Sequence, residues 1–158
     1  MKKTLWTIAL LAALTAPAMA APDYAVIHME ANVDRSADTT WSKIGDYCAI
    51  QAWLGTSCVI TAGNGDVGTM RHLNNSIDEI MVAKTKYSYA YTQPATTILY
   101  HGNLAVEPID ATHCRIVYTL MYDQAPLATP DAQAANRKQR TDRFTAAVAK
   151  MKAIAEAP

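Results

Sequence analysis

The stretch Trp41–Arg71, WSKIGDYCAIQAWLGTSCVITAGNGDVGTMR, decides how this 158-residue chain is read. It holds a short helix closing on Gly45-Asp46, a tryptophan, Trp53, between Cys48 and Cys58, and a Val67-Gly68-x-x-Arg71 approach to a strand. Ser36 and Asp38 supply caps for the first helix, which runs through Trp41 and Ile44, and a second short helix follows around Cys48 to Trp53. Helices this short, set between extended segments, point to a fold built around a cavity.

Outward from there, Tyr24 to Val33 alternates with the period of a strand. Cys58 to Ala62, Thr69 to Leu73, Ile77 to Lys84, Tyr87 to Thr92, Leu99 to Glu107 and Cys114 to Asp123 also read as strands, separated by Gly63-Asn64-Gly65-Asp66, Asn74-Asn75-Ser76, Gln93-Pro94 and Pro108-Ile109-Asp110 turns. The predicted order is a strand, two helices and an antiparallel meander, seven strands in all. Thr129 followed by Pro130 starts a terminal helix. Phe144, Ala147, Val148, Met151, Ile154 and Ala155 give it an apolar stripe reaching about Glu156. One helix cannot fill a long curved sheet, and the enclosed space left over is where small apolar ligands bind.

Lys2, Lys3, the apolar run Leu5–Leu14, Pro17 and the triplet Ala18-Met19-Ala20 read as a secretory signal, residues 1–20, cleaved after Ala20. Residues 21–158 then form one exported domain, periplasmic or secreted, without a stable membrane anchor. The whole chain carries 14 Lys/Arg and 14 Asp/Glu. Loss of Lys2 and Lys3 leaves 12 against 14, a formal net charge of about −2, which argues against a nucleic-acid partner. The cationic cluster Arg137, Lys138, Arg140 and Arg143 reads as the wet face of the terminal helix.

Export makes a disulfide the expected state of Cys48 and Cys58, ten positions apart, with Cys114 left as a small strand residue. No metal-ligand spacing involves the three cysteines, and His28, His72, His101 and His113 are scattered, so neither a metal nor a cofactor is expected. Gly-x-Ser-x-Gly, His-Glu-x-x-His and phosphate-cradling glycine patterns are absent. Gly63 to Gly68 joins two strands instead of opening a helix and reads as a turn.

Strand alternation predicts the lining, because residues two apart share a face. Tyr87, Tyr89 and Tyr91, then Tyr100, Gly102, Leu104 and Val106, then Ile116, Tyr118, Leu120 and Tyr122 are placed inward, with His101 outward. A buried phenol needs a hydrogen-bond partner, so such a cavity suits a ligand with an aromatic or alicyclic body and a few oxygens. An Asn74-Asn75-Ser76 turn pairing Leu73 with Ile77 sets Arg71 across from Glu79 on one face, where opposite charges attract. Two roles are open to that pair: a structural ion pair at the rim, or a site in which Arg71 holds a ligand oxygen and Glu79 moves protons.

Trp41 with Gly45-Asp46, Ala49-Ile50 with Trp53, Val67-Gly68 with Arg71, Glu79, Tyr87-Ser88-Tyr89, Tyr100 leading into Leu104-Ala105-Val106-Glu107-Pro108, and Tyr118 to Asp123 together resemble the START and birch-pollen-allergen (SRPBCC) superfamily. Within it, the chain resembles the bacterial polyketide cyclase/dehydrase/lipid-transport group, from Val26 to Ala157, in a cysteine-framed, exported form. The resemblance implies an α+β helix-grip fold, a seven-stranded curved antiparallel sheet wrapping the long C-terminal helix. It also implies a small hydrophobic or amphipathic guest, aromatic, polyketide-like or lipid, in a monomer or weak dimer. The candidate lining is Arg71, Leu73, Glu79, Tyr89, Tyr91 and Tyr100, with Leu104, Tyr118, Leu120, Phe144 and Val148 completing it. A carrier needs only that cavity. The alternative is a cofactor-independent cyclase, lyase or condensing enzyme with Glu79 as acid–base and Tyr89, Tyr91, Tyr100 or Tyr118 orienting a substrate oxygen.

Overall fold

A computed structural model of the protein describes residues 21–158, so the expected signal segment lies outside the described residues. The elements are β1 (Tyr24–Val33), α1 (Ala37–Ile44), α2 (Ile50–Leu54), β2 (Cys58–Ala62), β3 (Met70–Leu73), β4 (Ile77–Thr85), β5 (Ser88–Thr92), β6 (His101–Pro108), β7 (Cys114–Asp123) and α3 (Pro130–Glu156). The strands form one seven-stranded sheet in the order β1-β7-β6-β5-β4-β3-β2, antiparallel throughout. Register breaks between Ile60 and Ala62 and between Met81 and Ala83 bend β2 and β4, as bulges do. The helix-grip expectation holds.

Local chemistry accounts for the element ends. Ser36 Oγ accepts from Thr39 N at 3.2 Å to cap α1, and Thr129 Oγ1 accepts from Ala132 N at 3.1 Å to cap α3, with Pro130 in its first turn. Gly55 ends α2 at φ 67°, the left-handed conformation that a glycine adopts without cost. Several strand ends shift by a residue or two from expectation, and two of these shifts have a visible local cause. Leu99 has φ 47°, outside strand geometry, so β6 starts at His101. Lys86 and Tyr87 form the turn between β4 and β5. Tyr87 therefore leaves the inward row, is half-buried, and donates its hydroxyl to Asp38 Oδ1 at 2.7 Å.

The Cys48–Cys58 disulfide forms across a Cα–Cα distance of 5.5 Å, tying the start of α2 to the first residue of β2. Cys114 is buried, with its thiol 3.2 Å from Thr40 Oγ1.

What positions the site is how α3 meets the sheet. Its 27 residues span roughly 40 Å at 1.5 Å each, and it packs chiefly on β1, α1, α2 and β7. Every fully buried residue of α3 lies in the C-terminal half: Phe144, Ala147, Val148, Met151 and Ala155. Residues 130–143 bury none, so that half stands off the sheet.

Candidate functional site

Asn74 and Asn75 turn the chain at φ 49° and 54°, values asparagine tolerates better than most residues. That turn pairs Leu73 with Ile77 and Arg71 with Glu79. The alternation that buries Arg71 and Leu73 on β3 also buries Glu79 and Met81 on β4. Arg71 and Glu79 are 0% and 2% exposed, so theirs is an interior ion pair and not one at the rim.

The pair is closely bound. Arg71 donates Nε to Glu79 Oε2 at 2.8 Å, with Nη2 2.6 Å from the same oxygen, and Gln93 Nε2 donates to Oε1 at 2.8 Å. Arg71 Nη1 also donates to the Tyr47 carbonyl oxygen. The guanidinium carbon lies 4.0 Å from the Tyr47 ring centroid, 4.9 Å from that of Tyr91 and 5.7 Å from that of Tyr89, the cation-over-ring contact that stabilises a charge out of water. Burial works against the charged guanidinium, but Tyr89, Glu79, Tyr91 and Tyr47 outweigh it and raise its pKa. Arg71 is a permanent cation, neutralised by Glu79.

Gly102 faces Tyr91 across β5 and β6. A Cβ there would collide with the Tyr91 ring, so its absence lets the ring lie over β6 and place its hydroxyl 2.7 Å from that of Tyr118. Burial raises the pKa of both phenols well above their usual value. Tyr118 packs edge-to-face on Trp53 at 5.9 Å and at a tilt against Phe144 at 5.1 Å.

Beneath the raised half of α3 lies a cavity of about 260 Å³. Ile50, Leu54, Leu73, Ile77 and Phe144 supply its apolar wall, and Glu79, Tyr91, Gln93 and Tyr100 its polar end. Gln139, Arg140 and Arg143 of α3, with Thr56 and Asn74, complete the lining. Burial pushes the Tyr100 phenol up to about 12, against the opposing pull of its Tyr91 contact and of the charges on Arg140 and Arg143. A second, more peripheral hollow of about 580 Å³ opens between the α1–α2 turn and the Gly63–Gly65 loop, bordered by Tyr47 and Tyr89. Its two charged residues are already engaged: Asp46 caps Cys48 N at 2.8 Å, and Lys84 holds Gly65 O at 2.6 Å and Asp66 at 2.9 Å.

Of the predicted lining, Leu73, Glu79, Tyr91, Tyr100 and Phe144 meet at the first cavity. Arg71 lies behind Glu79, and Tyr89 faces the second hollow. Leu104, Tyr118, Leu120 and Val148 are buried in the packed core without bordering either space. Sequence reading passed over Ile50, Leu54, Gln93, Arg140 and Arg143. The wet-face reading of the α3 cluster is refined for two members: half-buried Arg140 and exposed Arg143 border the cavity, while Lys138 pairs outward with Asp142 at 2.5 Å. Helical phase contained that signal, since Arg140 and Arg143 lie one turn before Phe144 and Ala147 and so extend the stripe's face. Gln93 likewise lies two residues beyond Tyr91. Among the described residues no cluster of three or more His, Cys, Asp or Glu could hold a metal ion.

Residues 24–156 match the family described as polyketide cyclase / dehydrase and lipid transport. No curated protein matches the chain. Solved structures that resemble it include the Zhui aromatase/cyclase from a Streptomyces species, with TM-score 0.69 and 16% identity over 85% of this chain and 94% of that one. A norcoclaurine synthase point mutant from Thalictrum flavum, in complex with a transition-state analogue, gives TM-score 0.64 and 16% identity over 87% and 97%. A START superfamily protein from Mycobacterium smegmatis gives TM-score 0.60 and 11% identity over 81% and 97%. At these identities the likeness is one of fold.

Proposed function

Because the chain belongs to the polyketide cyclase, dehydrase and lipid transport family, we propose that it is an exported carrier holding a small hydrophobic or amphipathic molecule beneath the N-terminal half of α3. Export rests on the Lys2–Ala20 segment and is favoured by the disulfide, a bond that persists in oxidising compartments. The observation that carries the binding role is the 260 Å³ cavity, apolar along one side, whose one lining carboxylate already has both oxygens bound. A volume just under the roughly 300 to 1,000 Å³ of drug-sized sites suits a guest of one or two rings, or the end of a longer molecule. Three donors, two from Arg71 and one from Gln93, already occupy the Glu79 carboxylate and leave little of it for a substrate, which favours holding over chemistry.

One feature supports the cyclase, lyase or condensing-enzyme reading: Glu79, Tyr91 and Tyr100 share the cavity wall. A carboxylate beside phenols is what acid–base chemistry at a substrate oxygen requires.

Native mass spectrometry of the protein purified from its own host tests the carrier. We expect one small molecule on the wild-type chain and none on Ile77→Trp, which fills the cavity. A bare wild-type mass, with the Ile77 and Phe144 amide signals unmoved by naphthalene, would refute it. If a guest is identified, its turnover by the wild type and loss of that turnover in Glu79→Gln with binding intact would decide for the enzyme.

A further inference from the structure

Arg140, half-buried, and Arg143, exposed at the cavity's edge, are held by neutral partners. Arg140 donates Nε to Asn136 Oδ1 at 2.8 Å, and its guanidinium carbon lies 4.9 Å from the Tyr100 ring centroid and 4.7 Å from that of Tyr122. Arg143 donates Nη2 to Thr56 Oγ1 at 3.2 Å. Among the described residues, neither has a carboxylate within salt-bridge distance, although Lys138 and Lys152 on the same helix pair with Asp142 and Glu156 at 2.5 Å and 2.7 Å. The cavity's one carboxylate, Glu79, is neutralised by Arg71. Around this space the formal count is one negative charge against Arg71, Arg140 and Arg143, a net of about +2, in a chain whose overall formal charge is zero.

Resting on the carrier reading above, we infer that Arg140 and Arg143 form an anion clamp at the α3 side of the cavity, so that the guest is an amphipathic anion with its apolar body against Leu54, Leu73, Ile77 and Phe144 and a carboxylate between the two guanidinium groups. The two arginines are three residues apart on one helix, where like charges repel, and an anion between them removes that repulsion. Planar guanidinium forks match a carboxylate in two-point contact. Tyr100 and Tyr122 hold the Arg140 plane, so less freedom is lost when the anion docks. The opposite end of the guest meets Tyr91 and Gln93, which suit a neutral oxygen.

Calorimetric titration with a series of aromatic carboxylates, from benzoate to 2-naphthoate, each beside its neutral amide, tests the clamp. Charged hydrogen bonds are worth more than neutral ones, so the best carboxylate should bind about ten- to a hundredfold more tightly than its amide. That advantage should shrink in high salt. Arg140→Gln/Arg143→Gln, checked for an unchanged circular dichroism spectrum, should erase the preference, so that acid and amide bind that variant equally. Equal affinity of acid and amide for the wild type overturns the clamp but leaves the cavity as a binding site. A preference that survives the double substitution overturns it by placing the anion elsewhere. Binding of neither series overturns the carrier reading and the clamp with it.

Discussion

Arg71 and Arg140 both lie against pairs or triplets of tyrosine rings, yet the two ends of the interior use the residue in opposite ways. Arg71 is fully buried, shares Glu79 Oε2 with two of its nitrogens, and lies behind Glu79 without bordering the first cavity. Arg140 lies 4.9 Å and 4.7 Å from its rings and has only an amide oxygen, on Asn136, as partner. The first is part of the fold; the second is part of a surface waiting for a counter-charge. What separates them is where α3 stops burying side chains, at Phe144. The closed end pairs its cation with a carboxylate, although the Tyr47 and Tyr89 hydroxyls beside it have no hydrogen-bond partner; at the open end, among the described residues, the two cations have no carboxylate.

The largest effect should come from alkaline pH, which attacks the closed end. Burial raises the pKa of Tyr47, Tyr89, Tyr91 and Tyr118, and of Tyr100 to about 12, from an ordinary value of 10.0. A folded-state pKa above the unfolded one adds stability that is complete below pH 10 and lost as the pH climbs through the folded values. Phenolate absorbance and far-ultraviolet circular dichroism should therefore change together in one cooperative step beginning above pH 10. Tyr100, at the boundary between the two ends, should be harder to ionise in Arg140→Gln/Arg143→Gln, because those charges favour its phenolate. A gradual rise in phenolate with the dichroism intact would mean that water reaches these rings, and the contrast between closed and open ends would disappear.

Next in size is Glu79→Gln, which leaves Arg71 charged, buried and unpaired. Breaking one side of a buried ion pair costs about 3 to 5 kcal/mol, whereas replacing both partners with apolar residues of similar volume is often nearly neutral. Urea unfolding should show the large loss for Glu79→Gln and recovery of most of it in Arg71→Met/Glu79→Leu. A loss below about 1 kcal/mol, the range of exposed pairs, would show that the pair is solvated and that the two ends do not differ.

The sequence carried the closed end more clearly than the open one. Strand alternation placed Tyr89, Tyr91, Leu104, Tyr118 and Leu120 inward, and the Asn74-Asn75-Ser76 turn fixed the Arg71–Glu79 register, because both are period-two arguments confined to neighbouring strands. Which inward residues touch empty space was not legible. Leu104 and Tyr118 share their faces with Tyr91 and Tyr100 in the alternation, and only the packing of the helices, such as Trp53 of α2 and Phe144 of α3 on Tyr118, decides which of them border the cavity. Arg140 and Arg143 read as a solvated face because a cationic run on a helix usually is one. Their phase with Phe144 and Ala147 nevertheless sets both at the cavity, Arg140 half-buried and Arg143 exposed.

The smallest of the three effects, Gly102→Ala, addresses the partition between the two ends. Tyr91 contacts the Arg71 guanidinium on one side and lines the cavity on the other, and it holds this place because β6 offers no side chain opposite it. A methyl group at position 102 would meet the ring itself, not a flexible chain end, so the ring must tilt and its 2.7 Å bond to the Tyr118 hydroxyl must lengthen or break. Overpacking of this kind costs about 1 to 3 kcal/mol, to be read from the shift in the urea midpoint. Arg71 and Glu79 block movement toward the closed end, so the ring has space to move only into the cavity. Affinity for aromatic probes should then fall together with stability, while the Arg71–Glu79 contact persists. A stability loss with unchanged probe affinity would mean that Tyr91 belongs wholly to the closed end and that the boundary lies at Tyr100.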